Sequence, residues 1–269
     1  MKISALQFHV IPADRKANMD TVARLADQAM AAGPDVLVLP EMWDIGFITR
    51  DVSSLADPDG REAGGFLSAL ARRHRVNIVG GSIARKDSGG LRNTCYIVNR
   101  EGRRVAAYDK IHLFSLQGEN TRFQAGDTPV TFDLEGVRAG IVICYDLRFG
   151  ELTRMAALDG AKILFVPAAW PTVRLSFWQI LLRARAMENQ FFVVGVNICG
   201  FLGSQEYPGA SLIVGPAGEI LAQAGDGETC LSACCDPAAL EKVRASLSFF
   251  QDRRPDVYRL SGNPEKIAS

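Results

Sequence analysis

Cys144 closes the apolar run Ile141-Val142-Ile143 and is followed at once by Tyr145-Asp146-Leu147-Arg148. The pattern predicts a strand that delivers a thiol to a sharp turn, with a helix beginning a few residues later. A thiol beside a helix N-terminus has its thiolate stabilised by free N–H groups and the helix dipole. The Tyr145 N–H is then placed to point into an oxyanion hole, as in other strand–nucleophile–helix elbows. The competing reading is a small buried hydrophobe, since cysteine is among the most buried residue types; the polar residues after it weigh against that.

Glu41 follows the run DVLVLP and leaves the end of a second buried strand, where open α/β sheets place their ligands. It reads either as a helix N-terminal acid or as a general base, with Trp43 and Phe47 nearby to desolvate it and raise its pKa. Lys110 ends the strand VAAYDK and sits in YDKIHLF, where two charges and a histidine stand among large apolar groups. A solvated lysine is the ordinary alternative; the flanks point to partial burial, and a buried lysine needs a task or a partner. Glu119, nine residues on in QGEN, reads by itself as an exposed loop acid. His9, His74 and His112 are the only histidines, and none carries the marks of a base for a cysteine. That scarcity favours a carboxylate base over the commoner Cys–His pair.

The elements that must hold these groups follow from periodicity. Strands are expected at Ile3–Phe8, Asp35–Leu39, Asn77–Ile83, Val137–Ile143, Lys162–Val166 and Phe192–Ile198. Helices are expected at Asn18–Ala32, Gly64–Arg75, Glu151–Leu158, Leu175–Asn189 and Ala238–Ser246. Hairpins pair Thr94–Asn99 with Arg103–Tyr108 and Ser211–Val214 with Glu219–Ala222. The order repeats: GPDVLVLPEMW resembles GAKILFVPAAW, NIVGGSI resembles FVVGVNI, and IVNREGRRVA resembles IVGPAGEILA, at separations of 127, 115 and 116 positions. The expectation is two similar α/β halves whose sheets pack face to face with helices outside, as one domain over 1–269. Only the first copy carries an acid after its proline, because Glu41 corresponds to Ala168.

The bulk composition fits a soluble globular chain, with 48% hydrophobic and 22% charged residues. Thirty basic and thirty acidic residues leave no net field to draw it to nucleic acid or an anionic membrane. The N-terminus MKISALQFHV reads as a buried strand rather than a signal peptide, and no apolar run is long enough to span a bilayer. The six cysteines are scattered except for Cys230, Cys234 and Cys235, which fit no metal spacing, and they imply reduced thiols in the cytosol.

LPEMW, YDKIHLF with GEN, and VICYDLRFGE resemble the three signature segments of the nitrilase, or carbon–nitrogen hydrolase, superfamily. RARAMENQFFVVGVN, YPGASLIVGPAGEIL and DRRPDVY extend the resemblance over essentially the whole chain. It implies an αββα four-layer sandwich that pairs with a second subunit, and a Glu41–Lys110–Cys144 triad with Glu119 as a supporting acid. Lys110 and the Tyr145 N–H would form the oxyanion hole, and no metal or organic cofactor is implied. Family members often have proline where this chain has Gly150. LPEMWDIGF and the brevity of the chain resemble the ω-amidase branch, whose substrates are ω-amides of short 2-oxo dicarboxylic acids; nitrilases and N-carbamoyl amidohydrolases share the triad. A binding protein without activity is the more distant alternative. A small anionic amide needs a further cation: Arg148 and Arg174 are candidates, then Arg50, although Arg148 has an alternative as an ion-pair partner of Glu151 or Glu188. Trp170 reads as a pocket wall or as ordinary core, and Trp43 and Phe47 as further walls.

Overall fold

The computed structural model describes residues 1–47 and 51–258. The first half runs β1 (Lys2–Gln7), α1 (Arg15–Ala29), β2 (Val36–Val38), the short α2 (Val52–Leu55), β3 (Asp57–Pro58), α3 (Arg61–His74), β4 (Asn77–Val79), β5 (Ile83–Asp87), β6 (Gly90–Val98) and β7 (Arg104–Asp109). The second half runs β8 (Thr131–Leu134), β9 (Val137–Ile141), α4 (Gly150–Leu158), β10 (Ile163–Ala168), α5 (Leu175–Asn189), β11 (Phe192–Asn197), β12 (Cys199–Leu202), β13 (Gln205–Pro208), β14 (Leu212–Val214), β15 (Ile220–Gln223), β16 (Thr229–Cys234) and α6 (Pro237–Ser246).

One sheet has the order β16-β1-β2-β4-β6-β5-β3, with β7 also paired to β6; a second has the order β15-β14-β11-β10-β9-β8, and β12 and β13 pair by themselves. Within them the same motif occurs twice. β1, β2 and β4 are parallel neighbours followed by the antiparallel β6 and β7; β9, β10 and β11 are parallel neighbours followed by the antiparallel β14 and β15. Even the irregularity repeats, since the ladder shifts register at Ile97/Val98 in one hairpin and at Ile213/Val214 in the other. Alternation sorts β2 between layers. Val36 and Val38 face the second sheet, in one core with Ile141, Phe165 and Val194, while Leu37 and Leu39 face Leu25 of α1 and Leu67 of α3. Helices α4 and α5 cover the other sheet with Ala156, Trp178 and Leu182. The layering is αββα.

Several elements differ from the sequence expectation. Helix α1 begins earlier, because the Asp14 side chain accepts from Ala17 N at 3.0 Å and caps it. Strands β8, β12, β13 and β16 were not anticipated; the Thr229–Cys234 run has only half-buried or exposed side chains and no clear alternation. The expected strand 77–83 is two strands, interrupted at Gly80-Gly81-Ser82.

That interruption positions the turn after β2. Ser82 N donates to Pro40 O at 3.1 Å, Met42 N donates to Ser82 Oγ at 3.0 Å, and Trp43 Nε1 donates to Gly80 O at 2.7 Å. Gly81 has a φ of +61°, and a Cβ there would collide with the Pro40 carbonyl. We therefore expect Gly81→Ala to combine left-handed strain with a backbone clash and cost about 2–4 kcal/mol. Urea unfolding of the variant checks this, and a change below about 0.5 kcal/mol would show that the turn yields freely.

Candidate active site

Glu41 lies just beyond β2, Cys144 just beyond β9 and Ala169 just beyond β10, so the C-terminal ends of three strands, from both sheets, meet at one place. Because β2 and β10 are equivalent in the two halves, their ends meet: Glu41 N donates to Ala168 O at 3.4 Å, and Ala169 N donates to Glu41 Oε2 at 2.8 Å. Lys110 arrives from the end of β7, its N–H donating to Asn93 O on β6 at 2.9 Å.

The Lys110 ammonium is 1% exposed and is held between two carboxylates. Its Nζ stands 2.8 Å from Glu41 Oε1, and 2.8 and 3.1 Å from the two oxygens of Glu119. Glu119 is buried, not the exposed loop acid its sequence context suggests. The turn through Ser115–Thr121 folds it inward, and Phe114 N donates to its Oε2 at 2.7 Å. Asn93 Nδ2 bridges both acids, at 2.9 Å from Glu41 and 3.0 Å from Glu119. The Cys144 thiol lies within reach of Glu41 and 3.9 Å from Ala169 O.

Burial pushes the Glu41 carboxyl above its ordinary range, with Lys110 opposing the rise and Glu119 adding to it. Burial would lower Lys110, but Glu41 and Glu119 outweigh it and the ammonium is held more firmly than usual. The Cys144 thiol is pushed well up, by burial and then by the Glu41 charge. This reverses the expectation of a helix-stabilised thiolate. A single tight turn, Cys144–Arg148, separates Cys144 from the expected helix α4, and the Ile143 N–H at the head of that turn is taken by the Asp146 carboxylate at 2.9 Å. These surroundings favour the protonated thiol, with the Glu41 carboxylate beside it.

Cys144 has a φ of +46°, an unusual conformation for a residue with a side chain. The fully buried Asp146, which the sequence reading passed over, braces it. Besides Ile143 N it accepts from Tyr108 Oη at 2.7 Å and from His112 N at 2.8 Å, and it meets His112 Nδ1 at 2.8 Å. One carboxylate thus ties the Cys144 elbow to the segment carrying Lys110. His112 stacks on Phe149 with centroids 3.6 Å apart, a structural placement.

A narrow cleft opens over Cys144, walled by Phe47, Phe114, Tyr145 and Trp170, with Arg148 and Arg174 also lining it. Arg148 forms no ion pair with Glu151 or Glu188; Arg185 takes Glu188 at 2.9 Å instead. The Arg148 guanidinium lies over Trp170 and Phe177 at 5.0 and 5.1 Å, and that of Arg174 lies over Phe114 at 5.4 Å. Trp43 is no part of this wall: it is fully buried beneath the Glu41 turn, against Phe66. Arg50 lies outside the described residues. Asn93, Asp146, Phe114 and Ala169 were missed by sequence reasoning. The best available signal was Asp146, an acid two residues from a strand-end cysteine.

A carbon–nitrogen hydrolase family model matches residues 2–245. The 2-oxoglutaramate amidase of Bacillus subtilis is 40% identical over 256 residues, covering 95% of this chain and 98% of its own. The structure of Saccharomyces cerevisiae Nit3, a member of branch 10 of the nitrilase superfamily, superposes with a TM-score of 0.88 at 29% identity, covering 96% of this chain and 97% of that one. An amidase from Nesterenkonia, solved with acrylamide added to its active-site cysteine, superposes at 0.82 with 27% identity, covering 93% and 99%.

Asp146→Asn would turn an amide NH2 toward groups that themselves donate. The loss of charge-assisted bonds should cost about 2–4 kcal/mol, and slackening of the elbow should change the rate at which iodoacetamide alkylates Cys144. Urea unfolding and timed alkylation measure both; wild-type values in each would show that Asp146 does not brace the elbow.

Proposed function

The chain belongs to the carbon–nitrogen hydrolase family, and from that premise we propose that it hydrolyses the terminal amide of a short 2-oxo dicarboxylic acid, such as 2-oxoglutaramate or 2-oxosuccinamate, to the diacid and ammonia. The observation that carries this reading is a cysteine beside a buried acid–lysine–acid cluster, under a narrow cleft lined by two arginines that have no carboxylate partner among the described residues. Similarity to the 2-oxoglutaramate amidase supports the same substrate class.

In this mechanism Glu41 removes the thiol proton as Cys144 Sγ bonds to the amide carbon. The oxyanion forms between the Lys110 ammonium and the Tyr145 N–H. Lysine has three donors, and one shared between the two Glu119 oxygens together with one to Glu41 would leave the third for the substrate. One such donor is typically worth about 3 kcal/mol of barrier. Glu41 returns the proton to the nitrogen, the C–N bond breaks and ammonia departs. Water then gives a proton to Glu41 and attacks the thioester, with Glu119 holding Lys110 in place. The diacid leaves and the thiol recovers its proton. No step needs a metal or organic cofactor.

Arg148 and Arg174 supply the cation for the remote carboxylate, and Trp170 and Phe47 confine the chain between the two ends. The apolar groups exposed on α4 and α5, including Met155, Leu158, Phe177, Ile180 and Met187, suit a homodimer through that face. Six unpaired cysteines suit a reducing compartment such as the cytoplasm.

The test is kcat/KM for 2-oxosuccinamate against the same amide with its carboxylate esterified. A carboxylate held by arginine orients the amide as well as binding it, so the ester should lose tenfold or more, about 1.4 kcal/mol of transition-state binding. Equal rates on both would remove the anion site and leave a broader amidase or nitrilase.

A further inference from the structure

Glu41, Lys110 and Glu119 do not complete the buried cluster. Two acids share one buried ammonium, and their oxygens need a second set of donors. Asn93 supplies it. Its Nδ2 is 2.9 Å from the same Glu41 oxygen that accepts from Lys110 and 3.0 Å from the Glu119 oxygen that also meets Lys110. Ammonium and amide thus span the two acids in a closed ring.

The orientation of the amide follows from its neighbours. Flipped, its oxygen would stand about 3 Å from two carboxylate oxygens. As placed, Oδ1 has no partner among the described residues, although Asn93 is 1% exposed. An asparagine serving packing alone would be expected to use its acceptor; this one commits its donors to the acids and leaves the acceptor unpaired.

We propose that Asn93 is a positioning residue for the hydrolysis, its side-chain NH2 group fixing the separation of Glu41 and Glu119 around Lys110 and favouring the charged form of Glu41. The inference rests on the reading of Glu41 as the base. The titratable groups facing Glu41 are Lys110, Glu119, Cys144 and the Tyr207 hydroxyl. On the strands flanking β6, Arg85 of β5 and Asp109 of β7 pair with each other at 3.1 Å. Without the amide, the ionised form of Glu41 loses a donor while Glu119 still repels it. Its proton is then held to higher pH, and the limb on which activity rises with pH moves upward.

The experiment is the pH profile of kcat/KM for wild type, Asn93→Leu, which keeps the volume and deletes the donors, and Asn93→Ser, which restores one shorter donor. Thermal melts run in parallel. The pH dependence of Cys144 alkylation by iodoacetamide gives a readout that does not need turnover. Asn93→Leu is expected to move the acidic limb up by about one pH unit in both readouts and to cut kcat about tenfold at neutral pH, with KM changed less than twofold; Asn93→Ser falls between. A lowered melting temperature with the limb unmoved would reduce Asn93 to a structural residue and overturn the proposal, as would wild-type kinetics. If Asn93→Leu does not fold, the limb of Asn93→Ser decides alone. Glu41→Gln separates this from failure of the underlying reading: substantial turnover by that variant would remove Glu41 as the base, whatever the Asn93 profiles show.

Discussion

The arrangement depends on one costly act, the burial of the Lys110 ammonium. A charge removed from water must be matched nearby, and here it is matched twice, by Glu41 and Glu119 at 2.8 Å each. Overcompensation has chemical consequences. Burial above all, with neighbouring carboxylate charge adding to it, favours the protonated forms, which is why both Glu41 and the Cys144 thiol are raised. A site of this kind does not store a thiolate. It holds a thiol next to a carboxylate, and a lysine whose charge the two acids secure against burial.

Holding four such groups together takes contributions from both halves of the chain. The two copies of the strand motif place the ends of β2 and β10 opposite one another, and the acid of one copy is met by a backbone N–H of the other. The second copy, with alanine in place of the acid, supplies a dipole and a wall rather than a competing charge. The braces are themselves buried polar groups. Asp146 collects donors from the Cys144 elbow and from the Lys110 segment, and the Gly80–Ser82 turn pins the backbone around Glu41.

Much of this was legible in the sequence. The continuous apolar runs of β2 and β10, their proline ends and the matching hairpins announced a duplicated α/β sandwich, because strands covered on both faces leave that pattern. Cys144, Glu41 and Lys110 were readable as polar residues at strand ends among apolar neighbours. Glu119 misled, since nothing in Gln117-Gly118-Glu119-Asn120 says that the turn folds inward; its burial is dictated by Lys110, a tertiary effect. Asn93 was invisible for the same reason, as one asparagine at an expected strand edge looks like any other. Trp43 misled in the opposite sense. Proximity in sequence to Glu41 suggested a shared pocket, yet its side chain turns to the helical layer. Strands β12, β13 and β16 lacked the alternation that identifies a half-buried strand.

The claim on which the account turns is that the substrate's acyl group passes through Cys144. The direct measurement is rapid acid quench of the enzyme during turnover of an ω-amide 2-oxo acid, followed by mass spectrometry of the intact chain and of its peptides. The account predicts a transient species heavier by the substrate minus ammonia, located on the peptide carrying Cys144 and discharged by water. Turnover with no adduct at any quench time, under conditions where ammonia release shows a burst, or an adduct on another residue, would contradict it.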